Sequence, residues 1–112
     1  MSFKPVIPRT EAEADVEAAV SWYLSQAGVT AALGFAEALY FAEALYEAYR
    51  IIGERSAAGS PRYAYILKRP GLRTWQLKRY PYLIFYFERN DHVDVWRVLH
   101  GQRDIHGGMQ DV

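Results

Sequence analysis

Two periods divide this chain. From Val16 to about Ile52 apolar residues recur every three or four positions, the repeat of a helix with one buried face. From Arg73 to Leu99 they alternate or run continuously, as strands do. Thr10-Glu11-Ala12-Glu13 has the form of a capping box, and Val16, Ala19, Val20 and Tyr23 follow at helical spacing, so a helix is predicted over about residues 11–26. Gly28 supplies its stop and Thr30 a cap for a second helix over about residues 30–55. Ahead of both, Ser2 to Pro8 reads as a short strand limited by its prolines. Beyond them, Ser56 to Pro61 is a loop, Arg62 to Lys68 a strand candidate, and Arg69-Pro70-Gly71 a turn. Arg73 to Tyr80 alternates, with Trp75 and Leu77 opposite Gln76 and Lys78. Tyr82 to Phe87 is apolar on both faces and reads as the central strand; Asn90-Asp91 tips a hairpin and Val93 to Leu99 returns. Regular alternation puts Arg97 and Leu99 on one face of that strand, and Trp96, Val98 and His100 on the other. The predicted fold class is α+β: an N-terminal strand, then an antiparallel helical hairpin packed on a C-terminal antiparallel β-sheet.

The second helix contains a perfect tandem, Phe35-Ala-Glu-Ala-Leu-Tyr40 followed by Phe41-Ala-Glu-Ala-Leu-Tyr46. Six residues turn a helix by about 600°, so the copies face about 120° apart, and one copy adds about 9 Å. The expected buried stripe is Phe35, Ala38, Ala42, Leu45, Tyr49 and Ile52, with Phe41 on its border and Glu43, Glu47, Arg50 and Glu54 opposite. Tyr40 falls toward the polar side, so the extra length exposes aromatic surface. The repeat is too short for a solenoid and reads as an in-frame duplication.

Composition narrows the possibilities. The chain has 112 residues, 51% hydrophobic and 15% aromatic, which suits a single domain over 1–112 with its own core and a flexible tail over 105–112. It has no cysteine, which excludes disulfides, thiolate nucleophiles and Cys-based metal sites. No apolar run reaches membrane-spanning length and no signal peptide is apparent, so a cytoplasmic location with no membrane partner is expected. Net charge is zero, but residues 1–56 hold four basic and eight acidic side chains, and residues 57–112 nine and five. Between Arg62 and Arg79 there are six basic residues and no acidic one. That stretch is either a sheet edge protected by cations or a surface for nucleic acid or an acidic protein.

The C-terminal wording is more specific. Pro81-Tyr82-Leu83-Ile84-Phe85-Tyr86, followed by Val93-Asp94-Val95-Trp96-Arg97-Val98-Leu99-His100-Gly101-Gln102-Arg103-Asp104, resembles the end of ParE toxins of the ParE/RelE superfamily, and Gly59-Ser60-Pro61-Arg62 resembles the family's loop after its long helix. The resemblance runs from Thr10 to about Ile105. It implies the toxin of a type II toxin–antitoxin (plasmid stabilisation) system, bound and neutralised by a ParD-like antitoxin, with DNA gyrase as its target and no cofactor. The sister branch, RelE, cuts messenger RNA on the ribosome and stands as the alternative. A third reading is a toxin inactivated by the lengthened helix.

Each reading assigns roles. For gyrase binding no catalytic residue is expected, and the target-binding residues are Arg97, His100, Arg103 and Asp104. A metal-free nuclease needs a base, an acid and cations around the phosphate, which Arg97, His100, Arg103, Lys78 and Arg79 supply only if they converge. RelE-type nucleases often place a tyrosine near the C-terminus, and none follows Tyr86 here. Structural roles compete: His100 at a strand end can satisfy backbone groups, and Arg97 can pair with Asp94 or Asp104. For the antitoxin the expected residues are Val16, Val20, Tyr23, Tyr40, Arg73, Trp75 and Arg79, covered by a disordered tail that folds into an amphipathic helix or an added strand, an acidic tail suiting Arg62 to Arg79 and an apolar helix suiting the two helices. Uncovered, such a surface favours self-association. Phe85 and Trp96 are expected in the core. His92 at the hairpin tip is expected to be solvated, His106 lies in the tail without an assigned role, and three scattered histidines predict no metal site.

Overall fold

A computed structural model describes residues 3–26, 31–103 and 105. The elements run β1 (Val6–Pro8), α1 (Thr10–Ser25), α2 (Ala31–Glu54), a 3-10 turn (Ser56–Ala58), α3 (Arg62–Ile66), β2 (Leu72–Gln76), β3 (Tyr82–Glu88) and β4 (Val93–His100). They make the expected α+β fold, with a four-stranded sheet in the order β1-β4-β3-β2. The C-terminal strands are antiparallel, whereas β1 joins β4 in parallel, pairing Val6 with Val93 and Pro8 with Val95. The expectations for Gly28, Thr30, Asp104 and the tail beyond Ile105 lie outside the described residues.

The capping box does not form. Arg9 is the residue before α1, held extended because its N–H bonds to the Val95 carbonyl (2.9 Å) and its guanidinium grips Asp94. Thr10 is already helical, and the Glu13 N–H bonds to the Arg9 carbonyl (3.0 Å). The anchor to β4 therefore decides where the helix starts.

One face of the sheet carries the main core, in which Ala12, Ala19, Phe41, Leu45, Ala48 and Ile52 of the helices meet Ile84, Tyr86, Val93, Val95 and Val98 of the strands. On α2 the buried stripe is Gly34, Ala38, Phe41, Leu45, Ala48 and Ile52. This corrects the expected stripe: Phe41 is its centre and fully buried, Ala42 is exposed, and Phe35 is 63% exposed. Steps of alternately four and three follow the 3.5-residue period of helices packed in a hairpin, which drifts from the straight-helix count across two dozen residues.

The segment Arg62 to Lys68 is a helix and turn, not a strand. Ser60 exchanges backbone bonds with Thr74 (2.8 and 2.9 Å), and its hydroxyl accepts the Arg62 N–H (3.2 Å), so the chain turns at Pro61. Tyr63, Ala64 and Leu67 then pack at helical spacing on Leu72, Phe85, Trp96, Leu99 and Ile105, the core of the opposite sheet face. A second correction concerns β4. Phe85 pairs with Arg97 but Tyr86 with Val95, leaving Trp96 as a bulge. Trp96 and Val98 consequently lie in different cores, while Val98 and Leu99 stay on opposite faces as expected. Phe85 and Trp96 are both buried, as expected.

Candidate functional site

The bulge at Trp96 aims β4's last residues at α1. Asp15, in the second turn of that helix, accepts from Arg97 Nε (2.7 Å) and Nη2 (2.8 Å) and also from the Val98 N–H (3.0 Å). β1 ends opposite Val95, so the carboxylate takes over the edge of β4 where the strand leaves it. Both partners are about six-sevenths buried, at 15% and 13% exposure, so the pair is shielded from solvent and salt. Arg97 pairs with Asp15, while Asp94, one of its two expected partners, is held by Arg9 and Arg89; the other, Asp104, lies outside the described residues.

His100 follows at the strand end. Its Nδ1 accepts the N–H groups of Gln102 and Arg103 (both 3.2 Å), which wraps the Gly101–Arg103 turn around the ring. The ring packs edge-on against Tyr82 at 5.4 Å. Arg103 donates to the Tyr82 hydroxyl (3.2 Å) and lays its guanidinium over Trp22 of α1, 5.8 Å from the ring centre. A shallow groove joins Asp15, Trp22, Tyr82, Val98 and Arg103, with Trp22 and Arg103 exposed at its rim. Trp22 was missed from sequence. Its signal was weak: it neighbours Tyr23 but stands about 100° off the buried stripe, an apolar side chain at a solvent position.

A second groove lies between α2 and the β2–β3 hairpin. Tyr40, Ala44, Ala48, Ile51, Trp75 and Tyr80 form its apolar lining, Lys78 and Arg79 stand on the hairpin side, and Glu43 and Glu47 on the helix side. Arg79 is left-handed, at φ 73°, which lets the hairpin loop turn Tyr80 back onto Tyr23 and Phe41. Desolvation, with the nearby tyrosines and Glu37, pushes the Tyr23 hydroxyl up to about 12. Desolvation and Glu37, which accepts the Tyr80 hydroxyl at 3.3 Å, also raise Tyr80.

Of the expected antitoxin residues, Tyr40, Trp75 and Arg79 meet in this groove. Val16, Val20 and Tyr23 pack against the main core, and Arg73 donates to the Gly59 carbonyl (2.8 Å). Of the expected nuclease set, Lys78 and Arg79 belong to the α2 groove, whereas Arg97, His100 and Arg103 gather around Asp15, Tyr82 and Trp22. His92 bonds to Asp91 (2.7 Å) at the hairpin tip. Among the described residues no three His, Cys, Asp or Glu side chains group as metal ligands, and no helix is long and apolar enough to cross a membrane.

The family described as "ParE toxin of type II toxin-antitoxin system, parDE" matches this chain over residues 6–105. The chain belongs to the ParE toxin family. The match takes in every helix and strand, and it makes this a type II toxin of the ParDE kind. A solved structure titled "Chromosomal ParDE TA system from P. aeruginosa" is similar in fold, with a TM-score of 0.68 at 20% identity, covering 88% of this chain and 96% of that one. A search of curated protein sequences gives no match. In this ParE-family chain the Arg97–Arg103 part of the motif is thus a strand end folded back on α1, and its histidine and first arginine hold backbone and helix in place.

Proposed function

We propose that this ParE-family toxin inhibits DNA gyrase by binding it, without chemistry of its own, and that a ParD-like antitoxin neutralises it. The observation carrying the first half is how the cations are used. A metal-free nuclease needs its acid, base and phosphate-binding cations around one point. Here Arg97 is engaged by Asp15 and His100 by two backbone N–H groups, while Lys78 and Arg79 face another groove. What the motif presents outward is the Arg103–Trp22 pair, a stacked cation and a large aromatic, the residue types that dominate protein interfaces. The test is gyrase-mediated DNA cleavage with purified toxin. Cleaved DNA should accumulate, and should stop doing so with Trp22→Ala or Arg103→Ala. Absence of cleaved DNA together with ribosome-dependent cutting of mRNA would overturn the reading in favour of a RelE-type nuclease.

The second half rests on the α2–hairpin groove. Its apolar floor and basic wall suit an amphipathic helix with an acidic flank. Strand addition is less favoured, since both sheet edges are blunted. Ser60 already occupies the outer side of Thr74, and Leu72 N–H bonds to the Arg69 carbonyl. β1 has three residues including Pro8, and Lys4 just before it bonds to the Gly53 carbonyl of α2.

A further inference from the structure

Helix α2 carries two apolar seams. The inner one is buried. The outer one is displaced by a single residue, about 100° around the helix: Phe35, Leu39, Ala42, Tyr46, Tyr49 and Gly53, again in steps of four and three and without a charge. Its C-terminal end is closed. Tyr49 packs against the core, and a Cβ on Gly53 would come 2.9 Å from the Lys4 carbonyl. The rest is bare, with Leu39 49% and Tyr46 73% exposed beside Phe35, and Phe3, 68% exposed, shares a hollow with Tyr46. The tandem creates this. Copy two puts Phe41 and Leu45 into the inner seam, and the same two residues of copy one, Phe35 and Leu39, fall on the outer.

We propose that a second copy of this chain covers the outer seam, the two α2 helices lying antiparallel about a two-fold axis at Ala42. Phe3, Phe35, Leu39 and Tyr46 offer on the order of 500 Å² of apolar surface per copy, or ~1,000 Å² for the pair, the threshold for a specific interface. Ala42 at the axis allows close approach. Leu39 and Tyr46 stand three and four residues from it, so Leu39 of one copy meets Tyr46 of the other. The 3.5-residue spacing is that of helices crossing at about 20°. Glu43 and Glu47 flank the seam. Between two copies that flank is moderated by Arg50, which bonds to Glu47 and Glu54 (3.0 Å). The site is separate from the hairpin groove, and the inference does not rest on the gyrase reading.

Sedimentation of the purified full chain without antitoxin tests it, over roughly 1 to 200 µM, the range set by a micromolar interface. The expected result is a mass that rises to twice that of the monomer. Tyr46→Glu and Phe35→Glu, at exposed positions, should hold it at the monomer with circular dichroism unchanged, and Ala42→Trp should do the same by wedging the axis. Tyr40→Glu, on the other groove, should leave the dimer intact. A monomer at all concentrations, or a dimer surviving both glutamates, overturns the proposal. So does a monomeric wild type whose antitoxin binding is lost in Tyr46→Glu, which would hand the seam to the antitoxin.

Discussion

Asp15 and Arg97, 82 residues apart, are joined by two hydrogen bonds, and the same carboxylate closes the backbone edge of β4 at Val98. The pair therefore joins α1 to the sheet directly beneath the motif that marks the family. Asp15→Ala removes two hydrogen bonds and the counter-charge from a largely buried guanidinium and takes the carboxylate away from the Val98 N–H, and should cost about 3 kcal/mol. Urea unfolding measures it. Arg97→Ala should cost a similar amount, so loss of toxicity in that variant is assigned to target contact only if Asp15→Ala retains it.

Arg79 is the residue for separating charge from backbone strain. A non-glycine side chain at φ 73° costs roughly 1 kcal/mol or more. Arg79→Gly should be about 1 kcal/mol more stable than Arg79→Ala, read from the two midpoints in urea. Antitoxin affinity, by titration calorimetry, should fall equally in both, since each removes the same cation from the groove.

Tyr40 stands in that groove at an exposed helical position. Tyr40→Ala should weaken antitoxin binding about tenfold or more while changing stability by less than about 0.5 kcal/mol. If both change together, the side chain supports the fold and not the partner.

Acid should loosen the joint between β1 and β4. The Arg9 and Arg89 guanidiniums bond Asp94 and hold its carboxyl below the usual range, Arg9 contributing most, and Ser56 and Lys4 lower Glu88. A depressed carboxylate stabilises the fold above its unfolded value, about 4, and that contribution is lost as pH falls through the folded one. Wild-type stability should decline below about pH 4, and Asp94→Asn, about 2 kcal/mol weaker at pH 7, should show a shallower decline. Urea melts at pH 7 and at pH 3 compare them.

Tyr49 offers the opposite sign. Its hydroxyl is buried with no partner among the described residues, and desolvation, with Glu13 and Asp15 adding to it, pushes it up to about 12. Tyr49→Phe removes that cost and should raise stability by about 1 kcal/mol, measured as a higher melting temperature.

The fold class was legible because the change from helical to alternating period is strong, and the family because Arg97 to Arg103 is distinctive wording. Finer features depended on contacts distant in sequence. The start of α1 followed Arg9's bonds to Val95 and Asp94, against a well-formed capping box at Thr10. Arg62 to Lys68 satisfies both periods, and only the Ser60–Thr74 pairing turns it into a helix. The bulge at Trp96 leaves no mark in composition, yet it decides which side chains accompany Arg97. Asp94, an expected partner of Arg97 close in sequence, is taken by Arg9 and Arg89, and Arg97 finds Asp15 on α1, 82 residues away. Of the antitoxin candidates, those brought together were the ones flanking a gap between elements, Tyr40, Trp75 and Arg79, which helical periodicity alone does not reveal.

Closed sheet edges also decide what kind of assembly the toxin forms when it outruns its antitoxin. A bare strand recruits a strand that is itself bare on the far side, so growth has no natural end. With Ser60 on Thr74 and prolines around β1, that route is shut. Contact through a helix face related by two-fold symmetry consumes the same face on both molecules, and growth stops at two. The two-fold pairing proposed above would therefore collect excess toxin as discrete particles that dilution returns to monomer, not as fibrils.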